Sequence, residues 1–550
     1  MIEQAVQGWR PYGLLILLCL GLYLPGLASL PVTDRDEARF AQASRQMLQT
    51  RDYIAIRFQD EARNKKPAGI YWLQAAAVSL FSNADSTAIW PYRLPSLLGA
   101  MAASLATFGM GVALVGRRAA FLGAVVLAAS LGVVVEAHLA KTDAVLLACV
   151  TAAQLALGRI YLDARASRVA DWRFALLFWT ALAVGILIKG PIVPMAAVLT
   201  VAALSIADRD LRWLASLRPL RGLILAAVIV LPWLIAISTA TGGAFLSDSL
   251  GQDFFGKLIG AQESHGAPPL YYLLLLAITF WPGSLFLGPA VAWGWQQRRD
   301  LPARFLLAWA LPFWIAMELV PTKLPNYLLP AYPALALAIG GALVATGEGK
   351  LLSWRWPNRI VAMLWMAVTL ALAIALIAAP KFYGEGFVAA SIVATAIAVV
   401  LGMSLMIASW RGVSPILGAW AAILSLIVLS PSLALVAPRL DLLWLSRDAA
   451  KLVADYGQPK DVPVAATGYA EPSLVFMLGT KTLFVPADRA AEHLTTVRGA
   501  LALVESQEDA AFRAGLAAQG WAAREIGKVS GVDYSNGRAM ILTLYAGVPR

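Results

Sequence analysis

Apolar stretches of about 20 residues recur along most of the chain, and each is long enough to cross a hydrocarbon core of ~30 Å as a helix. They fall near 12–30, 90–115, 119–136, 143–162, 173–188, 191–207, 222–240, 270–294, 303–320, 325–345, 360–379, 387–408 and 414–437. The pattern predicts a polytopic α-helical membrane protein with about 13 transmembrane helices over residues 1–439. Two longer polar interruptions, 31–89 and 241–269, stand out among the short junctions. In the first, Phe40, Ala41, Ser44, Met47 and Leu48 recur at helical spacing with Gln42, Arg45 and Gln49 opposite. This predicts an amphipathic helix lying on the membrane surface. A second helix should begin at Pro67 and run through Ile70, Tyr71 and Trp72 towards Phe81.

After about residue 440 the pattern changes. Short apolar runs at 462–466, 483–485, 501–504 and 539–545 alternate with helical patterns near 487–496 and 508–519. Residues 440–550 therefore read as a small α/β domain. No phosphate-cradling glycine loop occurs in it.

Composition narrows the class without altering the layout. Hydrophobic residues make up 59% of the 550 positions and charged residues only 14%. A soluble protein of this length needs a far more polar exterior. The net charge of +11 does not imply nucleic acid, because the basic residues lie mainly in short junctions. When the junctions are assigned alternately to two sides, one collects most of the arginines, including Arg117, Arg118, Arg209, Arg212, Arg298 and Arg299. That side is expected to be cytoplasmic. The loops 31–89 and 241–269 and the C-terminal domain then lie outside. The two cysteines, Cys19 and Cys149, both fall within apolar runs, where they are core thiols rather than a disulfide framework.

The external side carries the candidate chemistry. Asp34, Asp36 and Glu37 cluster after the first apolar run, followed by Arg39 and by Lys65 and Lys66; the junctions add Lys141-Thr142-Asp143, Lys189-Gly190-Pro191 and Thr322-Lys323-Leu324-Pro325-Asn326-Tyr327. Ionisable groups at a membrane are costly and tend to be retained for a task. A carboxylate there can serve as general base, with Asp36, Glu37 and Asp143 as candidates. Arg39, Lys66, Lys189 and Lys323 suit a phosphate as point charges and forks. Phe40, Tyr71, His265, Tyr271 and Tyr327 are candidates for the substrate cavity, His265 the weakest because a lone loop histidine is usually a solvated one. Group transfer from a phosphate-activated donor follows. Soluble activated sugars are normally absent outside the membrane, so a polyprenyl-phosphate sugar is the expected donor. Several lysines and arginines suffice to neutralise one phosphate, so no cofactor is required and no metal ligand is assigned, although the acid cluster leaves room for a divalent cation.

The same motifs carry a family resemblance. Asp36-Glu37-Ala38-Arg39-Phe40, Lys66-Pro67 with Tyr71-Trp72, Lys141-Thr142-Asp143, Lys189-Gly190 and Lys323-Leu324-Pro325-Asn326-Tyr327 are similar, in order, to those of the aminoarabinose lipid A transferases. These belong with the protein O-mannosyltransferases among the C-type membrane glycosyltransferases. The resemblance implies a polyprenyl-phosphate-dependent transferase of a bacterial inner membrane, with a lipid-facing cavity and C-terminal domain on the periplasmic side. Its acceptor would be lipid A or another envelope molecule. It makes Asp36 the catalytic candidate, gives the donor phosphate to Arg39 and Lys66, and gives Asp143 a supporting role. Two departures leave sugar and acceptor open: Phe40 stands where the arabinose transferases usually have Tyr, and Lys65 replaces an acid often found before the Lys-Pro pair. A lipid transporter or flippase is the alternative class, but such proteins tend to bind near the midplane, on interrupted helices in repeated halves. Here the charges lie at span ends and no repeat is visible. A protein O-glycosyltransferase is the alternative within the superfamily.

Overall fold

The computed structural model describes residues 6–33, 35–249, 251, 266–349, 355–457, 459, 462–534 and 536–550. Eight of the described helices are long and apolar enough to span a membrane: Trp90–Val115, Asp143–Arg165, Trp172–Lys189, Pro219–Ala240, Pro325–Gly347, Trp356–Tyr383, Ala389–Arg411 and Pro415–Arg439. Two bent pairs raise the number to as many as ten. By length and composition the expected count of about 13 is therefore not reached, and the differences have physical causes.

The first apolar run does not continue as a helix to residue 30. It is helical over Arg10–Tyr23, about 21 Å at 1.5 Å per residue. Pro25 and Gly26, the latter at φ +92°, then turn the chain so that the carbonyls of Leu27 and Leu30 accept hydrogen bonds from the Arg93 guanidinium at 2.9 and 2.7 Å. The expected span 119–136 is broken at Ser130 into Arg117–Ala129 and Leu131–Ala137, bent by 60°. Its freed backbone groups are satisfied by neighbours, as an apolar medium requires. The Leu131 amide donates to Trp281 O at 2.8 Å, and the Ala128 and Ala129 carbonyls accept from Tyr23 and Ser425. The expected span 270–294 is likewise two helices, Tyr271–Thr279 and Gly283–Gln296, bent by 118°.

Small residues let the helices approach closely. A Cβ on Gly340 would lie 2.0 Å from the Ala119 carbonyl oxygen, so the Arg117–Ala129 and Tyr332–Gly347 helices cross backbone to backbone there. Charges gather at the helix ends. At the arginine-rich end Asp208 accepts from Tyr161 at 2.7 Å and pairs with Arg165 at 2.8 Å and with Arg304.

The C-terminal region folds on a five-stranded sheet. With β1 (Arg57–Phe58) and β2 (Glu61–Ala62) forming a small hairpin in the first polar loop, its strands are β3 (Ala465–Thr467), β4 (Leu483–Phe484), β5 (Leu501–Glu505), β6 (Trp521–Asp533) and β7 (Arg538–Pro549). Their order is β4-β3-β5-β7-β6, parallel across β4, β3 and β5 and antiparallel beyond. Separate apolar clusters cover its two faces, one around Leu474, Leu503 and Leu542 and the other around Ala490, Phe512 and Tyr545.

This region is fastened to the first polar loop. The helix Asp36–Thr50 forms where its spacing predicts one, but most of its polar side does not face water: Gln42 and Arg45 are buried, and Gln49, near its end, is exposed. Arg45 donates to Phe476 O at 2.6 Å and to Ser86 O at 2.6 Å, with its guanidinium 4.2 Å from the Phe476 ring centre. Gln42 donates to Thr480 at 2.7 Å, and Gln59 to the carbonyls of Thr480 and Thr482. The expectation of a helix resting on the membrane surface is corrected accordingly, because the C-terminal region covers what periodicity marked as its outer face.

Candidate active site

The site begins with the device that holds its first helix. Glu37 is fully buried, and its two carboxylate oxygens accept from Thr33 N and Oγ1, Arg93 Nε and Nη2, and Ala140 N, all at 2.8–2.9 Å. Burial alone would raise the Glu37 pKa, but Arg93 and the two backbone donors outweigh it and hold the carboxyl below its usual value. A carboxylate so fully engaged has no lone pair ready for a substrate proton, so the expectation of a catalytic Glu37 gives way to a positioning role. Asp36, its neighbour, lies on the exposed side of the first turn.

A second cluster gathers where three helix ends meet. Lys189, closing Trp172–Lys189, donates to Asp143 Oδ1 at 2.5 Å, and Asn326 donates to the same oxygen at 2.6 Å. The Lys189 ammonium also lies 5.5 Å from the centre of the Tyr327 ring. Lys141 pairs with the buried Glu136 at 3.1 Å. Burial lowers the Lys141 pKa, but Glu136, Asp143 and Asp36 outweigh it and raise the group above its ordinary value. Asp36 is thus within electrostatic reach of this cluster, which links the first loop to it.

Beside the cluster opens a cavity of about 310 Å³. Lys65, Lys66, Asp143, Lys189, Asn326 and Tyr327 supply its polar lining. The remainder is almost wholly apolar, with Leu146, Met195, Trp233, Phe245, Phe313 and Met317 among its walls. It is an apolar slot with a cationic rim.

Of the residues singled out from sequence, Lys65, Lys66, Asp143, Lys189 and Tyr327 line this cavity, whereas Asp36, Glu37, Arg39, Phe40, Tyr71, Tyr271 and Lys323 do not. Lys323 is buried and turned onto the Val320 carbonyl at 2.7 Å. Phe40 and Tyr71 are buried against each other, ring centres 5.3 Å apart. Tyr271 packs edge-on against Tyr272 at 5.1 Å. Arg39 is half-buried; burial first, then the Arg63 charge, lower its pKa from the ordinary value. Asp34 and His265 lie outside the described residues. Among those described, no group of three or more His, Cys, Asp or Glu is placed to hold a metal ion.

Sequence reasoning passed over Glu136, Arg93, Asn326 and Arg63. Glu136 and Arg93 are lone charges within apolar stretches, which is itself a signal of a buried partner. Asn326 lay inside a motif read for its lysine.

Known proteins resemble this chain in sequence and in fold. The dolichyl-phosphate-mannose-protein mannosyltransferase family matches residues 65–235. The undecaprenyl phosphate-α-4-amino-4-deoxy-L-arabinose arabinosyl transferase 1 of Pseudomonas fluorescens is 28% identical over 365 residues, 63% of each chain. The aligned part therefore spans less than two thirds of that relative. The crystal structure of ArnT from Cupriavidus metallidurans bound to undecaprenyl phosphate superposes with a TM-score of 0.74 over 98% of both chains at 19% identity. The chain has the C-type membrane glycosyltransferase fold and is similar in sequence to aminoarabinose transferases. A more distant member of that fold, the oligosaccharyltransferase of Archaeoglobus fulgidus, matches with a TM-score of 0.52 and 13% identity over 91% of this chain and 70% of its own. Because the aminoarabinose-transferase-like likeness runs through the C-terminal sheet as well as the helices, the contacts fastening that sheet to the Asp36–Thr50 helix belong to the fold rather than to an appended module.

Proposed function

We propose that the chain transfers a sugar from a polyprenyl-phosphate donor to an envelope acceptor, lipid A or a related glycolipid, at the extracytoplasmic face of a bacterial inner membrane. The thirteen-span topology, with the C-terminal region outside, is part of the same reading. The observation that carries it is the apolar slot rimmed by Lys65, Lys66 and Lys189, with Asp36 acting on the same charge cluster. An isoprenoid chain fits the apolar walls, and its phosphate meets the lysines. The likeness to transferases and structures named for undecaprenyl phosphate supports the same donor.

In the transfer the bond between the sugar's anomeric carbon and the phosphate oxygen breaks, its electron pair leaving on the polyprenyl phosphate. A bond forms between that carbon and the acceptor oxygen. Lys66 and Lys189 stabilise the charge that grows on the leaving phosphate. When the acceptor is a hydroxyl, Asp36 takes its proton. When it is a phosphate, already ionised, Asp36 orients it or the sugar instead. Asp143 holds Lys189 in place, so that the ammonium reaches the phosphate from a fixed point. Cationic side chains carry this chemistry without a metal.

The test is mass spectrometry of envelope lipids from cells with and without the protein and with its Asp36→Asn variant. A glycan-sized increment that needs both the protein and Asp36 is expected; an increment that survives Asp36→Asn removes that residue from the mechanism. A protein hydroxyl acceptor is the second reading, favoured by the family matched over residues 65–235. Under it the increment appears on envelope proteins.

A further inference from the structure

The junctions 165–173 and 208–221 carry seven arginines and three aspartates, with no lysine or glutamate. The fold brings the two together and sorts their charges. Arg165 pairs with Asp208 at 2.8 Å and with Asp210 at 3.0 Å. Asp208 also accepts from Tyr161 and pairs with Arg304, and Asp171 caps the Trp172–Lys189 helix by accepting from the Arg173 amide at 3.0 Å. The acids are thus taken up within the protein. The remaining arginines, Arg168, Arg173, Arg209, Arg212, Arg218 and Arg221, are all exposed. Among the described residues none of their side chains makes a hydrogen bond or an ion pair.

The surface that carries them is packed. Between Arg209 and Arg218, both left-handed at φ +51°, runs the short 3-10 helix Arg212–Leu217, whose Trp213 and Leu217 are buried. The Leu217 carbonyl accepts from Trp179 Nε1 at 2.8 Å, which fixes this turn against the Trp172–Lys189 helix. Apolar side chains interleave with the charges: Val169 follows Arg168, Trp172 precedes Arg173, Leu211 precedes Arg212 and Leu220 precedes Arg221, all four exposed. Positive charge at this end is what topology alone requires. Guanidiniums without acids, set on a packed turn among exposed apolar residues, go further and suit an anionic lipid headgroup with its chains. The face lies across the membrane from the donor cavity. The Trp172–Lys189 helix starts there and ends in Lys189 on the cavity rim, about 27 Å away at 1.5 Å per residue. The Pro219–Ala240 helix also starts there and carries Val230, Trp233 and Leu234 to the cavity wall.

We propose that the Arg209–Arg221 turn, with the adjoining 168–173 junction, binds a phospholipid whose two phosphates are joined through glycerol, in the leaflet opposite the donor cavity. Arg209 and Arg212 stand at one end of the six-residue 3-10 helix and Arg218 and Arg221 at the other, about 12 Å apart at 2.0 Å per residue. The long arginine side chains narrow that separation, so that each pair meets one phosphate with planar forks. A lipid with one phosphate fills one pair only. Binding here is independent of the transferase reading, and it braces the far ends of two helices that wall the cavity.

The experiment titrates the full chain, purified in detergent, with diphosphatidylglycerol, phosphatidylglycerol and phosphatidylethanolamine, and reads bound lipid by native mass spectrometry. The native protein is compared with the double variant Arg212→Gln/Arg218→Gln. A second double variant, Arg298→Gln/Arg411→Gln, removes equal charge from exposed arginines outside the two junctions. Melting temperature without added lipid confirms that each is folded. Diphosphatidylglycerol should bind the native protein at least about tenfold tighter than phosphatidylglycerol, and Arg212→Gln/Arg218→Gln should bring the two within about twofold. Arg298→Gln/Arg411→Gln should keep the gap, and Arg212→Lys/Arg218→Lys should restore part of it, because an ammonium keeps the charge without the fork. A native protein that binds the two anionic lipids alike overturns the proposal. So does a folded Arg212→Gln/Arg218→Gln protein that keeps the full gap. A gap that Arg298→Gln/Arg411→Gln closes equally shows a general attraction to the basic end, and overturns it as well.

Discussion

At the scale of single residues the cavity rim sets Lys65, Lys66 and Lys189 beside one carboxylate, Asp143. Lys66 is on the cavity rim, and its Nζ lies 3.4 Å from the Lys65 carbonyl, a long contact compared with an ordinary charge-assisted bond. Lys66→Ala should weaken donor binding by about 1–3 kcal/mol, the range for a charge-assisted hydrogen bond. Equilibrium binding of a polyprenyl-phosphate sugar checks this; an unchanged affinity would return Lys66 to a lysine that merely reaches for the headgroups. The lysines on the rim were legible in the sequence because charged residues at span ends are conspicuous among apolar neighbours. Their partners were not. Nothing in the spacing of Lys141-Thr142-Asp143, Lys189 and Asn326 says that one Asp143 oxygen receives both the ammonium and the amide, since that depends on how three helices come together. Nor does it say that Lys323, in a motif of the same appearance, turns inward onto Val320.

At the scale of elements, the lock around Glu37 fixes where the Asp36–Thr50 helix begins and hence where Asp36 stands. It ties that helix to the start of Trp90–Val115, to the turn after the first helix and to the Ala140 amide. Arg93→Ala leaves a buried carboxylate without its counter-ion and three backbone carbonyls, those of Leu27, Leu30 and Pro31, without their donor, a change that costs on the order of 3–5 kcal/mol. Expression, melting temperature and transfer should fall together in this variant, whereas Asp36→Asn should lower transfer alone. A folded, active Arg93→Ala protein would show that the lock does not position the helix. The pH dependence has a definite sign. The Glu37 pKa is lowered on folding, so its contribution is present above the ordinary carboxylate range and is lost as pH falls through the folded value. The helices themselves were legible from their periodicity. Their breaks were not, because Ser130 and the Trp281–Pro282 turn sit inside apolar runs that look continuous to a hydropathy window. β6 escaped for the opposite reason: it is an edge strand bearing Arg524, Glu525 and Lys528, and its sequence lacks the apolar run that marked the inner strands.

At the scale of the whole molecule, the C-terminal sheet region and the membrane helices share one element, the Asp36–Thr50 helix, which carries Asp36 and Arg39 on one side and Arg45 on the other. Arg45 is the central fastening. It is buried, donates to carbonyls on both Phe476 and Ser86, and stacks on the Phe476 ring. Desolvation lowers its pKa somewhat, and Tyr92 and Asp85 oppose the shift. Arg45→Ala removes the donor from two buried carbonyls and the stacking surface from one aromatic ring, for which a loss of about 2–4 kcal/mol in local stability is expected. That is enough to let the region open locally without unfolding the helical bundle. Hydrogen exchange read by mass spectrometry should show lost protection confined to 36–50 and 472–482, with the spanning helices unchanged. Transfer should fall in step, because the helix that loosens is the one bearing Asp36. Arg45→Lys, which keeps the charge but not the fork, should recover only part of the protection. Unchanged exchange at 472–482 in Arg45→Ala would mean that the other contacts, from Gln42 and Gln59, hold the region unaided. Lost protection with full transfer would mean that the helix keeps Asp36 in place through the Glu37 lock alone.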